Sequence, residues 1–419
     1  MMKIIDATDF DYSPRTQIYD DKTINIVRDI LSDIREHKLN SVTEYAEKFG
    51  DIEHGQKLFV SQDELKRAFD NLPSNEQEVL QRTADRIRAF AQAQRDSLAD
   101  LKFPIDGGFA GHNVMPMEVA GCYAPGGRFP LPSSVLMTVI PARVAGVKTI
   151  CLASPKPTTH TLAAAYIAGV DTMLRIGGAQ AIGAMAYGID GIAPADIIVG
   201  PGNRYVTAAK QIVSSQCAID MLAGPSELAI IADETANAEI IAADLLAQAE
   251  HDTDAWPVLV TTSRQLIDDV QEQIKIQLET LPTISTASAS IEKGLAVYAS
   301  DIEEGLKILN HLASEHVEIL CKNAQDIASR VQHGGGLFIG NDSAEVIGDY
   351  GAGPNHTLPT GGTARHKAGL SVFNFLRMTT WIDINEPEKA QQLYKDAEDL
   401  GRIEGLEAHA RAARLRRRS

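Results

Sequence analysis

Apolar residues recur along this chain with two different periods, and the change from one to the other divides it. In residues 22–38, Ile24, Val27, Ile30, Leu31 and Ile34 stand at helical intervals with polar residues between them, the mark of a helix with one buried face. Ser61 and Glu64 form a capping-box pattern ahead of a second helix that ends before Pro73. A long, charged third helix is expected from about Glu76 to Leu101, so the first hundred residues read as helical. Then the pattern alternates. Thr149–Ala153, Met173–Ile176 and Asp196–Val199 are strand-like, Val135–Ala145, Thr161–Ala168 and Ala179–Tyr187 are helical, and Gly200-Pro-Gly-Asn203 opens a helix through Lys210. A second series follows, with Leu228–Ala232, Pro257–Thr261, Ala296–Ala299, Val317–Leu320 and Leu337–Ile339 as strands. Ala236–Glu250, Arg264–Leu281, Ile302–Leu312 and Ala324–Val331 are its helices.

Strands that alternate with helices build parallel sheets. The expected class is therefore α/β, with two Rossmann-like doubly wound units and no low-complexity linker between them. The simplest arrangement nests one unit in the other. Residues 1–122 form the helical N-terminal part of the larger domain, 123–223 the nested unit, 224–371 the remainder of the larger domain, and 372–419 a helical tail. A length of 419 residues also exceeds what one core usually serves.

Composition narrows the function classes. Hydrophobic residues at 44% and charged residues at 23% are ordinary for a globular protein. A net charge of -17 repels phosphate backbones and argues against nucleic acid as a partner. Arg411–Arg418 is a local exception that reads as a solvated basic end. Cys122, Cys151, Cys217 and Cys321 lie far apart with no Cys-x-x-Cys pair, which argues against a thiolate metal site or a disulfide framework and fits a reducing cytoplasm. Lys3, Asp6 and Asp9 stand where a signal peptide needs an apolar core, and no run reaches the length of a membrane span.

Candidate chemistry is concentrated in a few places. Gln248 and His251 are three residues apart at the end of a helical run, so both can reach one point. An amide oxygen and an imidazole suit a borderline divalent metal if other ligands arrive from elsewhere; equally, such a pair can cap last-turn carbonyls. Glycine turns at Gly126-Gly127, Gly177-Gly178 and Gly200-Pro-Gly202 offer backbone N–H groups at helix starts, which favour phosphate or simply punctuate the fold. Glu315 and His316 stand together just before a strand, a carboxylate and an imidazole suited to acid-base work. Successive strand residues point to opposite faces, however, so the turn must hold them together. The loop Gly348–Arg365 is rich in Gly and Pro and carries Asp349, Asn355 and His356, which marks it as a candidate site wall. Glu404 and His409 lie in the helical tail, five residues apart.

These pieces are not independent. Gly-Pro-Ser-Glu leading to Gln-Ala-Glu-His, the Glu-His pair before a strand, Gly348-Asp-Tyr-Gly-Ala-Gly-Pro-Asn-His-Thr-Leu-Pro-Thr-Gly-Gly-Thr-Ala-Arg365 and the final Glu404-Gly-Leu-Glu-Ala-His409 together resemble the histidinol dehydrogenase family, over essentially the whole chain. The resemblance implies a zinc enzyme that oxidises L-histidinol to L-histidine with two NAD⁺ through a bound aldehyde, the last steps of histidine synthesis. The implied metal ligands are Gln248, His251, Asp349 and His409, and the implied acid-base pair is Glu315 and His316. Ser226, His356 and Glu404 match substrate-contacting positions, alongside Gln248, His251, His316, Asp349 and His409. Tyr123, Gln180 and Asn203 match cofactor positions. The tail of such proteins crosses to the neighbouring subunit, so the resemblance also implies a homodimer with shared sites.

Small departures concern the substrate. Asp252 follows the candidate ligand where Gly is usual, Ser314 replaces a Pro before Glu-His, and Ala91 follows Phe90 where many relatives have His. The wording around Gly126-Gly-Arg-Phe-Pro and Gln94–Ser97 is similar to relatives acting on other alcohols, including a sulfonated propanediol. Two further readings stand beside these: a metallohydrolase in which Glu315 or Glu250 activates a zinc-bound water, and a small-ligand binding protein with an inert cleft.

Overall fold

The structure, a computed structural model, describes residues 1–13, 20–126 and 130–417. Gly127, Arg128 and Phe129 of the Gly126-Gly-Arg-Phe-Pro stretch and Arg418 of the basic end lie outside the described residues. In chain order the strands are β1 (Lys3–Asp6), β2 (Phe59–Val60), β3 (Leu101–Ile105), β4 (Gly108–Pro116), β5 (Val119–Tyr123), β6 (Thr149–Ala153), β7 (Thr172–Leu174), β8 (Ile197–Val199), β9 (Ala218–Ile219), β10 (Glu227–Ala232), β11 (Trp256–Thr261), β12 (Leu295–Tyr298), β13 (His316–Leu320), β14 (Gly336–Ile339) and β15 (Leu376–Ile384).

Two of the sheets carry the α/β architecture. One has the order β1-β12-β11-β10-β13-β14 and the other β2-β7-β6-β5-β8-β9. Every neighbour pair in the first is parallel. The second is parallel except where the short β2 joins β7. The chain thus starts in the first sheet with β1, builds the whole second sheet, and returns to the first at β10. β10 is buried at all six positions, as expected for a strand covered on both faces, and this is why it reads as a continuous apolar run and does not alternate.

The helices follow their apolar stripes. Helix Asp21–His37 starts where Asp20 accepts a hydrogen bond from the Thr23 N–H at 2.8 Å, and it buries Val27, Ile30, Leu31 and Ile34. Each such side chain contributes roughly 1.5–3 kcal/mol of burial. The stripe packs on helix Gly178–Tyr187, where a Cβ on Gly183 would stand 2.9 Å from Leu31 Cδ2. A larger residue there would push the two helices apart. At helix Gln62–Asp70 half of the expected capping box forms: Ser61 Oγ accepts from the Glu64 N–H at 3.3 Å, while the Glu64 carboxylate turns away to Arg175.

The N-terminal stretch carries the expected helices, the third running Ser74–Asp96 and stopping short of Leu101, but residues 1–122 are not helical throughout: they also hold β1, β2, β3, β4 and most of β5. A second compact unit comprises Ala93–Pro116 and Leu376–Ser419. It contains an antiparallel sheet, β15-β4-β3, and the helices Gln391–Ile403 and Glu407–Arg414. The helical reading of residues 372–419 overlooked β15, a strand whose side chains are mostly exposed and so lack the buried run that announces the other strands. Glu404 and His409 do not share one helix either. Glu404 caps the first, Gly405 turns the chain at φ +75°, and His409 lies in the second.

Candidate active site

The catalytic candidates sit at the amino-terminal ends of β10 and β13, where Leu228 pairs with His316 and His316 with Gly336. Helix Ile302–Leu312 ends on Ala313 in the left-handed region, which turns the chain sharply into Ser314 and Glu315. The two faces of the strand are then reconciled by one residue of the neighbouring strand. Glu315 Oε2 accepts from the Glu227 N–H at 3.0 Å, and His316 Nδ1 meets the Glu227 carbonyl at 3.2 Å. A carbonyl can only accept, so Nδ1 carries the proton and Nε2 the lone pair. Both catalytic candidates are therefore fixed to the two backbone groups of Glu227.

His316 Nε2 makes no hydrogen bond. It faces Glu345 Oε1 at 3.5 Å and Asp349 Oδ1 at 3.8 Å. Burial pushes the His316 imidazole down to about 4, so the ring is neutral. Burial also pushes the Glu315 carboxyl well up, helped by the nearby charges of Glu227, Asp349 and Glu345. The other oxygen of Asp349 lies 3.6 Å from His251 Nε2, and its backbone carbonyl meets His356 Nδ1 at 3.1 Å. His356 Nε2 in turn faces Ser134 Oγ at 3.3 Å. Burial lowers the His356 pKa as well.

Gln248 is fully buried, and neither its amide oxygen nor its amide nitrogen has a hydrogen-bond partner. It ends helix Ala238–Ala249, which packs against the short helix Glu345–Asp349. His251 is not on that helix face as expected, but in the turn just beyond the cap residue Glu250. A buried amide without partners is costly. Gln248, the Asp349 carboxylate and the His251 imidazole offer the oxygen and nitrogen donors that a divalent cation takes, while His316 Nε2 keeps its lone pair for a proton.

Three acids here escaped the sequence. Glu345 contributes to a group in which the ligand atoms of His316, Glu345 and Asp349 all lie within 4.8 Å of one another. Glu318 Oε1 accepts from the Glu345 N–H at 2.8 Å, and the charge of Asp244 acts on Glu318. Burial raises Glu345 to about 9, Glu318 to about 8 and Asp244 to about 6. Their only sequence signal was a lone acid within an apolar stretch, as with Glu318 in His-Val-Glu-Ile-Leu.

The cofactor candidates occupy the opposite kind of edge, the carboxyl-terminal ends of β5, β7 and β8, where ligands gather in parallel sheets. Tyr123 ends β5 and is buried, its hydroxyl accepting from the Gly178 N–H at 3.3 Å. Gln180 is buried in the first turn of its helix. Asn203 is exposed and caps helix Arg204–Val213, accepting from Tyr205 and Val206 N–H groups at 3.0 and 3.3 Å. The Gly177 N–H goes to Asp51 Oδ2 at 2.9 Å, so the Gly177-Gly178 turn has its donors already in use. The two edges meet through the loop after Asp349, where Asn355 Nδ2 donates to the Met137 carbonyl at 2.6 Å. Ser226 immediately precedes β10. Glu404 and His409 belong to the second unit and are exposed.

The chain is similar to known proteins over nearly its whole length. The histidinol dehydrogenase family profile matches residues 13–417. A histidinol dehydrogenase of Geobacillus kaustophilus is 44% identical over 397 residues, 93% of each chain, and one of Aquifex aeolicus is 40% identical, covering 96% of this chain and 94% of its own. The crystal structure of histidinol dehydrogenase from Elizabethkingia anophelis superposes with a TM-score of 0.91 at 36% identity, covering 97% of this chain and 94% of that one.

Proposed function

We propose, from the premise that the chain belongs to the histidinol dehydrogenase family, that it oxidises L-histidinol to L-histidine at the cluster of side chains around Asp349, using two NAD⁺. The observation that carries this is the fixing of Glu315 and His316 on Glu227, with His316 Nε2 bare. In the first step His316 Nε2 takes the alcohol proton while the carbinol carbon gives a hydride to NAD⁺, leaving the aldehyde. In the second, Glu315 takes a proton from water as its oxygen adds to the aldehyde, and the hydrate gives its hydride to a second NAD⁺, leaving the carboxylate. Gln248, His251 and Asp349 would hold a zinc ion, which supplies positive charge and a fixed point for the substrate. Ser226 and His356 line the substrate, and Tyr123, Gln180 and Asn203 the dinucleotide.

The second unit supports a homodimer. Ile382, Ile403 and Leu415 are 74%, 81% and 82% exposed, apolar side chains that a partner subunit would cover. We read Glu404 and His409 of the partner subunit as completing each site. Mixing inactive His316→Ala and His409→Ala subunits should then restore about one quarter of the activity by random pairing; no restoration sinks the shared site. No described helix is long and apolar enough to cross a membrane, and a cytoplasmic enzyme is the proposed setting.

The test is turnover with purified, metal-analysed protein. Two NADH per histidinol, lost on chelation and regained with zinc, is the expected result. One NADH from another polar alcohol, with histidinol inert, would move the assignment to a different substrate of the same family.

A further inference from the structure

A buried ion pair lies beside the crossover between the two sheets, and the proposed reaction does not use it. Lys210 is 1% exposed and Asp220 2%, and Lys210 Nζ is in direct contact with Asp220 Oδ1. Both partners also bond to one residue. Lys210 Nζ donates to the Gly200 carbonyl at 2.9 Å, and Asp220 Oδ2 accepts from the Gly200 N–H at 2.7 Å. Both backbone groups of a single glycine are thus held by a charged pair sealed from water.

Gly200 is the first residue after β8, at φ +118°, and a Cβ there would stand 2.0 Å from the Tyr123 carbonyl oxygen. Only glycine permits that approach. Three residues on, Asn203 caps the helix that carries Lys210, so the turn, the helix and the pair form a closed ring. On the far side, Asp220 begins the segment that leads to Ser226. That segment is tied down by Thr207 Oγ1, which donates to the Ala223 carbonyl at 2.7 Å, and by Thr360 Oγ1, which accepts from the Gly224 N–H at 2.5 Å. A buried ion pair is often no more stable than a well-packed apolar one, so its clearest use is to select one conformation.

We infer that Lys210 and Asp220 are positioning residues for the dinucleotide: together they lock the Gly200–Asn203 turn against Tyr123 and set its place relative to the segment that carries Ser226. This rests on the carboxyl edge of the nested sheet being the NAD⁺ site. The pair touches neither cofactor nor substrate; it acts through Gly200.

The experiment uses the full-length, zinc-loaded double variant Lys210→Met/Asp220→Asn, which leaves no lone buried charge. NAD⁺ affinity by titration and the KM for NAD⁺ should both worsen about tenfold or more, while zinc content, thermal midpoint and histidinol affinity stay as in the parent. Unchanged NAD⁺ affinity in the folded double variant overturns the assignment. If the double variant does not fold, Lys210→Gln/Asp220→Asn, which also leaves no lone charge and keeps polar groups facing Gly200, gives the same comparison: an intermediate loss supports the assignment and no loss overturns it. Asn203→Ala separates the two levels. Weaker NAD⁺ binding there, with none lost in the pair variants, overturns the clamp alone; no change in any of them overturns the cofactor site and the clamp with it.

Discussion

The two parallel sheets differ in what they do with polar groups at their working edges. At the carboxyl edge of the nested sheet the donors are used: Gly177 by Asp51, Gly178 by Tyr123, Gly200 by Asp220, and the helix start at Asn203 by its own side chain. At the amino edge of the larger sheet, bonds are withheld. Gln248 has two orphaned atoms, His316 one, and three carboxyls are held far above their ordinary range by burial. Native interiors rarely leave such groups unpaired. The first edge keeps a fixed shape and the second keeps bonding capacity in reserve, which is what the proposed dinucleotide site and the proposed metal site would respectively need.

The contrast is broken most directly at the second edge. His316→Ala should lower kcat by about 10²–10⁴ with an unchanged thermal midpoint, measured by NADH production; retained activity would remove His316 from the chemistry. Asp51→Ala, at the first edge, should do the reverse. It removes the acceptor for the Gly177 N–H and should cost about 1 kcal/mol in a denaturant titration, leaving kcat at saturating NAD⁺ intact. A large loss of kcat there would erase the distinction.

A subtler effect concerns Glu318. Burial raises its folded pKa to about 8 from an ordinary 4.5, so between those values the folded chain holds a proton that the unfolded chain releases. Stability from this group is full below the window and falls as pH rises through it. Glu318→Gln, neutral at every pH, should shrink the loss of thermal midpoint between pH 5 and pH 8 in metal-free protein. An unchanged slope would mean that Glu318 is not the titrating group.

Much of this was legible before any coordinates. The alternation of apolar runs located most of both parallel sheets, because buried strands and amphipathic helices leave different periods, though β1, β2, β5 and β9, short or interrupted by glycine, give no such signal; the Glu315-His316 and Gly348–Arg365 stretches announced themselves by density of unusual residues. β15 did not, since its exposed side chains give no apolar run. Glu345, Glu318 and Asp244 were equally silent. An acid in an amphipathic segment reads as a solvated face, and only tertiary packing buries these three against one another. The clasp of Glu315 and His316 on Glu227 needed β13 to lie beside β10, which links residues nearly ninety positions apart.

The central claim is that Gln248 is left unbonded because it awaits a metal. Zinc titration of the apo protein, parent against Gln248→Leu, tests it. The account predicts about one zinc per chain in the parent, at least tenfold weaker binding in the variant, and an apo variant more stable than the parent by about 1–3 kcal/mol, because the orphaned amide is gone. Equal zinc affinity in the two proteins would contradict it.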